Sequence, residues 1–484
     1  MRTYDALVDE LMELGTALRE IHSEALHVNK IARRLLLLPA SVLVLYILGC
    51  IYFMNHFFFN TSINGVDVSL KKYKDVDDVI RNHLKQYKLE LIERNGTVEY
   101  LYGHDFDLRL NEKLRIDELG HRQNPFLWFR YTFDQKDYHM DQLYLYHKGK
   151  LDQQINELNC LKKDAVEPRN VSFRYSRGSY KVIGEVYGNT VLRDKLYKEI
   201  EAGIANGLNT IDLNEQQCYK SPRFTLESQK TAQTKSTLDL YTSAQITYLF
   251  GDQKEILDGK TINKWLKVDA NLDVIFNRYA ILIYVKGLSK KYDTVGTTRS
   301  FHSSTGRTVE VTGGLYGWMI DQEAEIEALT KHIKKGEVIE KEPAYIQKAK
   351  QRGEDDIGDT YLEINLTRQH LWFYKDGKLI THGPVVTGNP SRGFSTVLGS
   401  YMVVYKQKNA TLVGPGYAAK VTYWMPFFGG IGVHDATWRS SFGGEIYKHR
   451  GSHGCVNAPF SLAKIIFENI EEGTPVIIYE ERIK

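Results

Sequence analysis

The stretch YLEINLTRQHLWFYKDGKLITHGPVV, residues 361–386, decides the fold of the C-terminal part of the chain. Tyr361 to Leu366 alternates, with Leu362, Ile364 and Leu366 on one face, which is the period of a half-buried strand. Leu371–Tyr374 and Leu379–Val386 flank Lys375-Asp376-Gly377-Lys378. Asp-Gly between two apolar runs predicts a tight hairpin, because both turn positions need positive φ. Further on, Tyr401–Tyr405 reads as a strand, Ser461–Ile470 as a helix, and Pro475–Tyr479 (PVIIY) as a strand closing the sheet. Residues 359–482 are therefore expected to form a mostly-β domain.

Upstream, the periodicity changes. Glu323–Lys335 (EAEIEALTKHIKK) predicts a helix that stops at Gly336, the usual residue past a helix end. The charged stretch after it, 346–358, reads as a linker. Residues 61–345 read as an α+β region, with a break near 200–220. Within it Asp75–Leu89 predicts a helix. Leu91–Leu101 predicts a hairpin turning at Asn95-Gly96, Tyr180–Val186 a strand, and Val191–Ala205 an amphipathic helix. No catalytic cluster appears in this region, and its Tyr, Asn and Lys residues suit a spacer or a polymer-binding surface.

The N-terminal part has a different character. Leu35–Met54 (LLLLPASVLVLYILGCIYFM) carries no charge and is long enough, at about 1.5 Å per residue, to cross a hydrocarbon layer of roughly 30 Å. Lys30, Arg33 and Arg34 precede it, so a transmembrane helix over 35–56 is expected, with residues 1–34 cytoplasmic. The alternative is a cleaved signal peptide. This topology predicts a single-pass protein of the cell membrane with the residues beyond about 60 extracellular. Leu7, Leu11, Leu14, Leu18, Ile21, Ala25 and Val28 alternate in steps of four and three, a heptad pattern that predicts a homodimer through residues 1–34. An amphipathic helix on the membrane surface is the competing reading.

Composition narrows the function. The 484 residues are 25% charged and 42% hydrophobic, normal for folded domains and too many for one core. With 63 basic and 60 acidic residues the net charge is +3, which offers no field for nucleic acid. Of the 4 cysteines, Cys50 lies in the apolar run, and Cys160, Cys218 and Cys455 cannot all pair with one another. Either Cys160 and Cys218 form a disulfide or all three are free.

Chemistry concentrates in IGVHDATWRSSFGGEIYKHRGSHGCVNAP, residues 431–459. Ser452, His453, Gly454 and Cys455 are contiguous. His434 lies upstream of a Gly- and Ser-rich stretch able to fold back toward the sulfur. A free thiol is only a few per cent ionised at neutral pH, so a thiol nucleophile needs an imidazole to take its proton and later return it to a leaving amine. The N–H groups of Gly454 and Cys455 are candidates for an oxyanion hole, and Ser452 for orienting an imidazole. Two other readings stay open on residue types alone. Cys455 could be a structural thiol or half of a disulfide. His434, His449, His453 and Cys455 could bind zinc, although their spacing matches no common closed site.

SHGC followed by Val456-Asn457, with a histidine upstream, resembles the L,D-transpeptidase (YkuD) catalytic domain. So do TYLEINLTRQHLWFYKDG, VVTGN at Val385–Asn389, YWMPF at Tyr423–Phe427 and GIGVHDA at Gly430–Ala436. YGWMIDQEAEIEAL at Tyr316–Leu329 resembles the region preceding that domain in Gram-positive members. The resemblance implies a β-sandwich with a catalytic groove, Cys455 as nucleophile, and His434 as its base. It implies a supporting loop of Ser452, His453 and Gly454, substrate contacts at Tyr423, Trp424 and Asn457, and a peptidoglycan-binding region upstream. It implies no metal and no cofactor. The chain departs from the family at three places. Asn457 stands where many members have Arg, His434-Asp435-Ala436 replaces His-Gly-Thr, and Thr396-Val397-Leu398-Gly399 replaces the usual Thr-Pro before a Gly. The contact to a substrate carboxylate is thereby left unassigned.

The expected reaction is formation of 3→3 cross-links between peptidoglycan stem peptides, donor and acceptor, through a cysteine thioester with release of D-alanine. A cysteine carboxypeptidase using water as acceptor, and a non-catalytic wall-binding scaffold, are the alternatives.

Overall fold

The computed structural model describes residues 12–21, 30–162, 164–353, 355–414 and 417–481, without the side chains of 30–36 and 417. The chain divides into two compact units, Met1–Ser172 with Gly184–Leu226, and Phe173–Ile183 with Glu227–Lys484.

In the first unit, helix α1 (Lys30–Phe53) contains Pro39 and ends against aromatic side chains. Cys50 and Phe53 are buried. A Cβ on Gly49 would lie 2.4 Å from the Trp128 ring, the Trp128 indole donates to the Tyr46 carbonyl at 3.2 Å, and Tyr46 Oη donates to the Phe126 carbonyl at 2.9 Å. Among the described residues no helix is long and apolar enough to cross a membrane. That finding corrects the transmembrane helix expected over 35–56, and with it the single-pass membrane location and the membrane as a partner. In its last turns Cys50 and Phe53 are buried against protein neighbours, while Leu48, Ile51 and Tyr52 are exposed. Of the heptad positions, Leu7, Leu11, Ala25 and Val28 lie outside the described residues. Leu14, Leu18 and Ile21 fall on a helical stretch where Leu14 and Ile21 are exposed.

Helix α2 (Val76–Lys85) buries Val76, Ile80 and Leu84, one stripe at helical spacing. Strands β1 (Lys88–Ile92) and β2 (Val98–Tyr102) form the hairpin expected around Asn95-Gly96, with Gly96 at φ +82°. Helix α3 (Arg193–Ala205) leads to β3 (Thr210–Asp212), which pairs parallel to β1. Leu89, Leu91, Ile155, Ile200 and Ile204 form the core between them.

The second unit begins with α4 (Gln229–Thr242), β4 (Gln245–Phe250), β5 (Gln253–Leu257), α5 (Arg278–Tyr292), α6 (Gln322–Lys334) and β6 (Val338–Lys341). β4 is central, antiparallel to β5 and parallel to β6. Beneath it Glu325 is fully buried and accepts from Tyr248 Oη at 2.6 Å, Lys341 Nζ at 2.7 Å and Ala344 N at 2.6 Å, so its charge is met on every side.

Two sheets follow. The first contains β7 (Tyr361–Asn365), β8 (His370–Lys375), β9 (Lys378–Pro384) and β10 (Gly399–Met402). The second contains β11 (Gln407–Gly414), β12 (Tyr417–Phe428), β13 (Ile431–Asp435) and, after the short helix α7 (Ile446–Arg450), β14 (Val456–Ala458). Helix α8 (Phe460–Asn469) and strand β15 (Pro475–Tyr479) complete the domain, and β15 inserts between β7 and β10 to give the order β9-β8-β7-β15-β10. The second sheet runs β11-β12-β13-β14, with β13 and β14 parallel. Leu362, Ile364, Leu371 and Phe373 of one sheet pack on Met425, Val433, Val456 and Ala458 of the other, with Ile466 of α8. The domain is a sandwich of two sheets over one core.

Residues before β7 pack on this sandwich. Phe301, Tyr316, Trp318 and Ile357 share a core with Ile477 and Tyr479. Arg299 and Asp356, 4% and 3% exposed, form a two-pronged ion pair at 2.7 and 2.8 Å that holds the stretch 346–358 to residue 299. The described cysteines are all free.

Candidate active site

The site is built by β12, β13 and β14 together with the segment Val385–Asn389. Parallel pairing sets Val433 against Val456, His434 against Asn457 and Asp435 against Ala458. Successive side chains alternate faces, so Val433 and Val456 enter the core while His434 and Asn457 share the opposite face. Cys455, two residues before Asn457, falls on that same face by the alternation. Trp424 pairs with His434 from the other side, and its ring lies 5.9 Å from the imidazole.

Val385–Asn389 fixes the loop that delivers Cys455. Val386 and Asn457 exchange both backbone hydrogen bonds at 2.9 Å. Ser452 N donates to Thr387 O, and Asn389 N to Ser452 O, both at 3.0 Å. Gly388 is required here, because a Cβ would sit 1.9 Å from Phe394 O and 2.9 Å from the Gly454 Cα. Thr396 Oγ1 accepts from Gly388 N at 2.9 Å and donates to Gly454 O at 2.7 Å. Thr396 of the divergent Thr-Val-Leu-Gly motif thus ties the two strands of the loop together.

Cys455 is 8% exposed, among Ala410, Val421 and Trp424, with Sγ donating to Gly430 O at 3.6 Å. Burial pushes its pKa up, and the Gly432 N–H opposes that in part. His434 is 3% exposed, and burial lowers its pKa; Arg439 lowers it further, whereas the Asp435 carbonyl and carboxylate act the other way. Nδ1 of His434 lies 2.9 Å from Asp435 O. With the Asn457 amide turned to satisfy its neighbours, its nitrogen donates to His434 Nε2 at 3.1 Å and its oxygen accepts from Arg439 Nε at 2.8 Å and Nη2 at 3.2 Å. An amide nitrogen only donates, so Nε2 is the acceptor and Nδ1–H donates to Asp435 O. Both shifts disfavour a preformed thiolate–imidazolium pair. Burial favours the uncharged form of both groups.

The other expected residues take various positions. Ser452 Oγ donates to Cys455 O and accepts from Gly454 N at 3.1 Å, so it braces the loop backbone rather than an imidazole. The Gly454 N–H is thereby engaged, which leaves the Cys455 N–H as the oxyanion donor of the two. His453 is exposed and its ring lies 4.6 Å from that of Phe394. Tyr423 faces inward, in the core near Phe460 and Phe467, whereas Trp424 lies on the site face with its indole donating to Tyr405 Oη at 3.3 Å. Asp435 Oδ1 accepts from Thr422 N and Tyr423 N, both at 2.7 Å, and locks β12 to β13. Among the described residues no group of three or more His, Cys, Asp or Glu could hold a metal ion. Arg439 escaped the sequence reading, and Thr396 entered it only as a departure from the family motif. Nothing in the Gly- and Ser-rich loop marks one of its two arginines, Arg439 and Arg450, as aimed at Asn457.

Comparison with known proteins gives a consistent result. The L,D-transpeptidase catalytic domain family matches residues 359–478. The family described as Putative peptidoglycan binding domain matches residues 116–212 and 232–339. A cysteine-to-serine mutant of the Enterococcus faecium L,D-transpeptidase is 33% identical, over 50% of this chain and 98% of that one, with a TM-score of 0.42. The Ldtfm–avibactam carbamoyl enzyme is 33% identical over 52% of this chain and 100% of that one, with a TM-score of 0.43. The E. faecium catalytic domain acylated by ertapenem is 42% identical over 25% of this chain and 97% of that one, with a TM-score of 0.24. No curated protein matches the chain.

Proposed function

This chain belongs to the L,D-transpeptidase family, and on that footing we propose that Cys455 is its acyl-accepting nucleophile, His434 its base, and the 3→3 cross-link its product. It is an L,D-transpeptidase that acts on peptidoglycan. The observation carrying the finer reading is the β13–β14 register, which gives Cys455 and His434 a common face.

The chemistry follows from the neutral pair. As the sulfur attacks the carbonyl of the third residue of a tetrapeptide stem, its proton passes to Nε2 of His434. The Cys455 N–H donates to the developing oxyanion. Collapse breaks the C–N bond to D-alanine, whose amine takes the proton back from His434, and a thioester remains. The side-chain amine of the third residue on a second stem then attacks the thioester, gives its proton to His434, and releases the thiol. Asp435 O, accepting from Nδ1–H, stabilises the transient imidazolium. The domain matched by residues 116–212 and 232–339 holds the glycan-linked substrate.

The test is incubation of the full chain with disaccharide tetrapeptide. D-Alanine release with a cross-linked dimer of mass equal to two donors less one D-alanine is expected, and Cys455→Ala abolishes both. Tripeptide without dimer would replace this reading with hydrolysis, and no D-alanine release from folded protein would end it.

A further inference from the structure

The Asn457 amide does something the reaction does not need: it occupies the base. Nδ1 of His434 carries a proton donated to Asp435 O, so Nε2 holds the only lone pair able to take the Cys455 proton. The amide nitrogen of Asn457 donates to that lone pair at 3.1 Å. The amide is held in this orientation by Arg439, whose Nε and Nη2 converge on its oxygen at 2.8 and 3.2 Å. Arg439 is half-buried and, among the described residues, pairs with no carboxylate; burial pushes its pKa down, and the like charge of Arg450 adds to that. Its partner is a neutral amide oxygen.

We propose that Arg439 is a positioning residue that keeps His434 capped through Asn457 until a carboxylate of the acyl donor draws the guanidinium away. The inference rests on the transpeptidase reading above. A bidentate carboxylate–guanidinium contact is roughly twice as strong as a neutral hydrogen bond, so an arriving carboxylate outcompetes the Asn457 oxygen, and Arg450 adds to the attraction. Released, the amide turns and Nε2 is free for the thiol. The charged groups around the imidazole are Asp435 on its own strand and Arg439 from the return loop, and Arg450 acts on Arg439 electrostatically. Asn457 and Cys455 face it from the partner strand and Trp424 from β12. The arrangement gives a reason for Asn at 457: an amide presents a donor to His434 and an acceptor to Arg439 at once.

Two measurements on the full chain test this. The first is turnover of disaccharide tetrapeptide and of its C-terminal amide. The wild type should prefer the carboxylate by about tenfold or more in kcat, the change expected for one charge-assisted hydrogen bond. Arg439→Met and Asn457→Ala should lose that preference in kcat, and Arg439→Lys should keep part of it. The second is iodoacetamide alkylation of Cys455 at neutral pH without donor, which should be faster in Arg439→Met and Asn457→Ala than in wild type. Equal kcat on both donors in wild type overturns the proposal, as does an undiminished preference in Arg439→Met. Equal alkylation rates in folded wild type and both variants also overturn it. None of these outcomes touches the transpeptidase reading, which fails only if wild type releases D-alanine from neither donor.

Discussion

His434 and Asn457 are register partners across two parallel strands, and their side chains meet at 3.1 Å on the face that also carries Cys455. The chemistry of the site follows from this pairing, because a shift of one residue would send the imidazole and thiol to opposite faces.

The pH profile follows from the neutral pair. Burial lowers the His434 pKa, so the reactive neutral imidazole persists into mild acid. The acid limb of kcat/KM should therefore fall below the usual imidazole pKa. In His434→Gln the raised thiol must ionise alone, so alkylation of Cys455 should climb only above the usual thiol range. Acylation in that variant should drop by about two to four decades. Stopped-flow rates against pH check both limbs.

Carbapenem exposure should add one drug mass to the chain. A carbapenem presents a strained amide carbonyl, an acyl donor for the nucleophile proposed at Cys455. Intact mass spectrometry should show a single adduct in wild type and none in Cys455→Ala.

Gly388→Ala should cripple the enzyme without a change at any reacting group. Its methyl would collide with Phe394 O and the Gly454 Cα. Overpacking of about 1–3 kcal/mol is expected. The strain falls on the Cys455 loop, so kcat should fall by more than the folded fraction does. Circular dichroism melts beside turnover separate the two.

Thr396→Val keeps the shape but leaves Gly388 N and Gly454 O without their shared partner. Two unsatisfied buried groups cost about 1–3 kcal/mol each. Thr396→Ser should recover most of the loss in a denaturant titration.

Arg299→Ala should be the most damaging of these to stability, since it strands Asp356 in the interior. Breaking one partner of a buried pair costs about 3–5 kcal/mol. The double variant Arg299→Met, Asp356→Leu should recover much of that in chemical unfolding.

Local signals were legible and long-range ones were not. The β8–β9 hairpin followed from Asp376-Gly377, and α6 from its periodicity and Gly336, because each signal lies within a few residues. Parallel pairings of β7 with β15 and β13 with β14 have no local signature. Cys455 and His434 stood out by type, whereas Arg439 matters only through what it touches. Tyr423 and Trp424 are neighbours in sequence and point opposite ways, one into the core and one to the site, which a motif match does not distinguish. At the N-terminus, hydropathy recorded the composition of the run but not Trp128, the ring its last turns pack against.

The insertion of β15 between β7 and β10 has a consequence for biosynthesis. Of the strands in this sheet, the one made after the others is the one the sheet needs in the middle. While residues 475–479 are still inside the ribosome, β7 and β10 have no shared partner and Leu362 and Ile364 lack their final cover. A nascent enzyme is therefore inert until residues 475–479 have emerged, and a chain cut short by a premature stop before Pro475 yields no cross-linking activity.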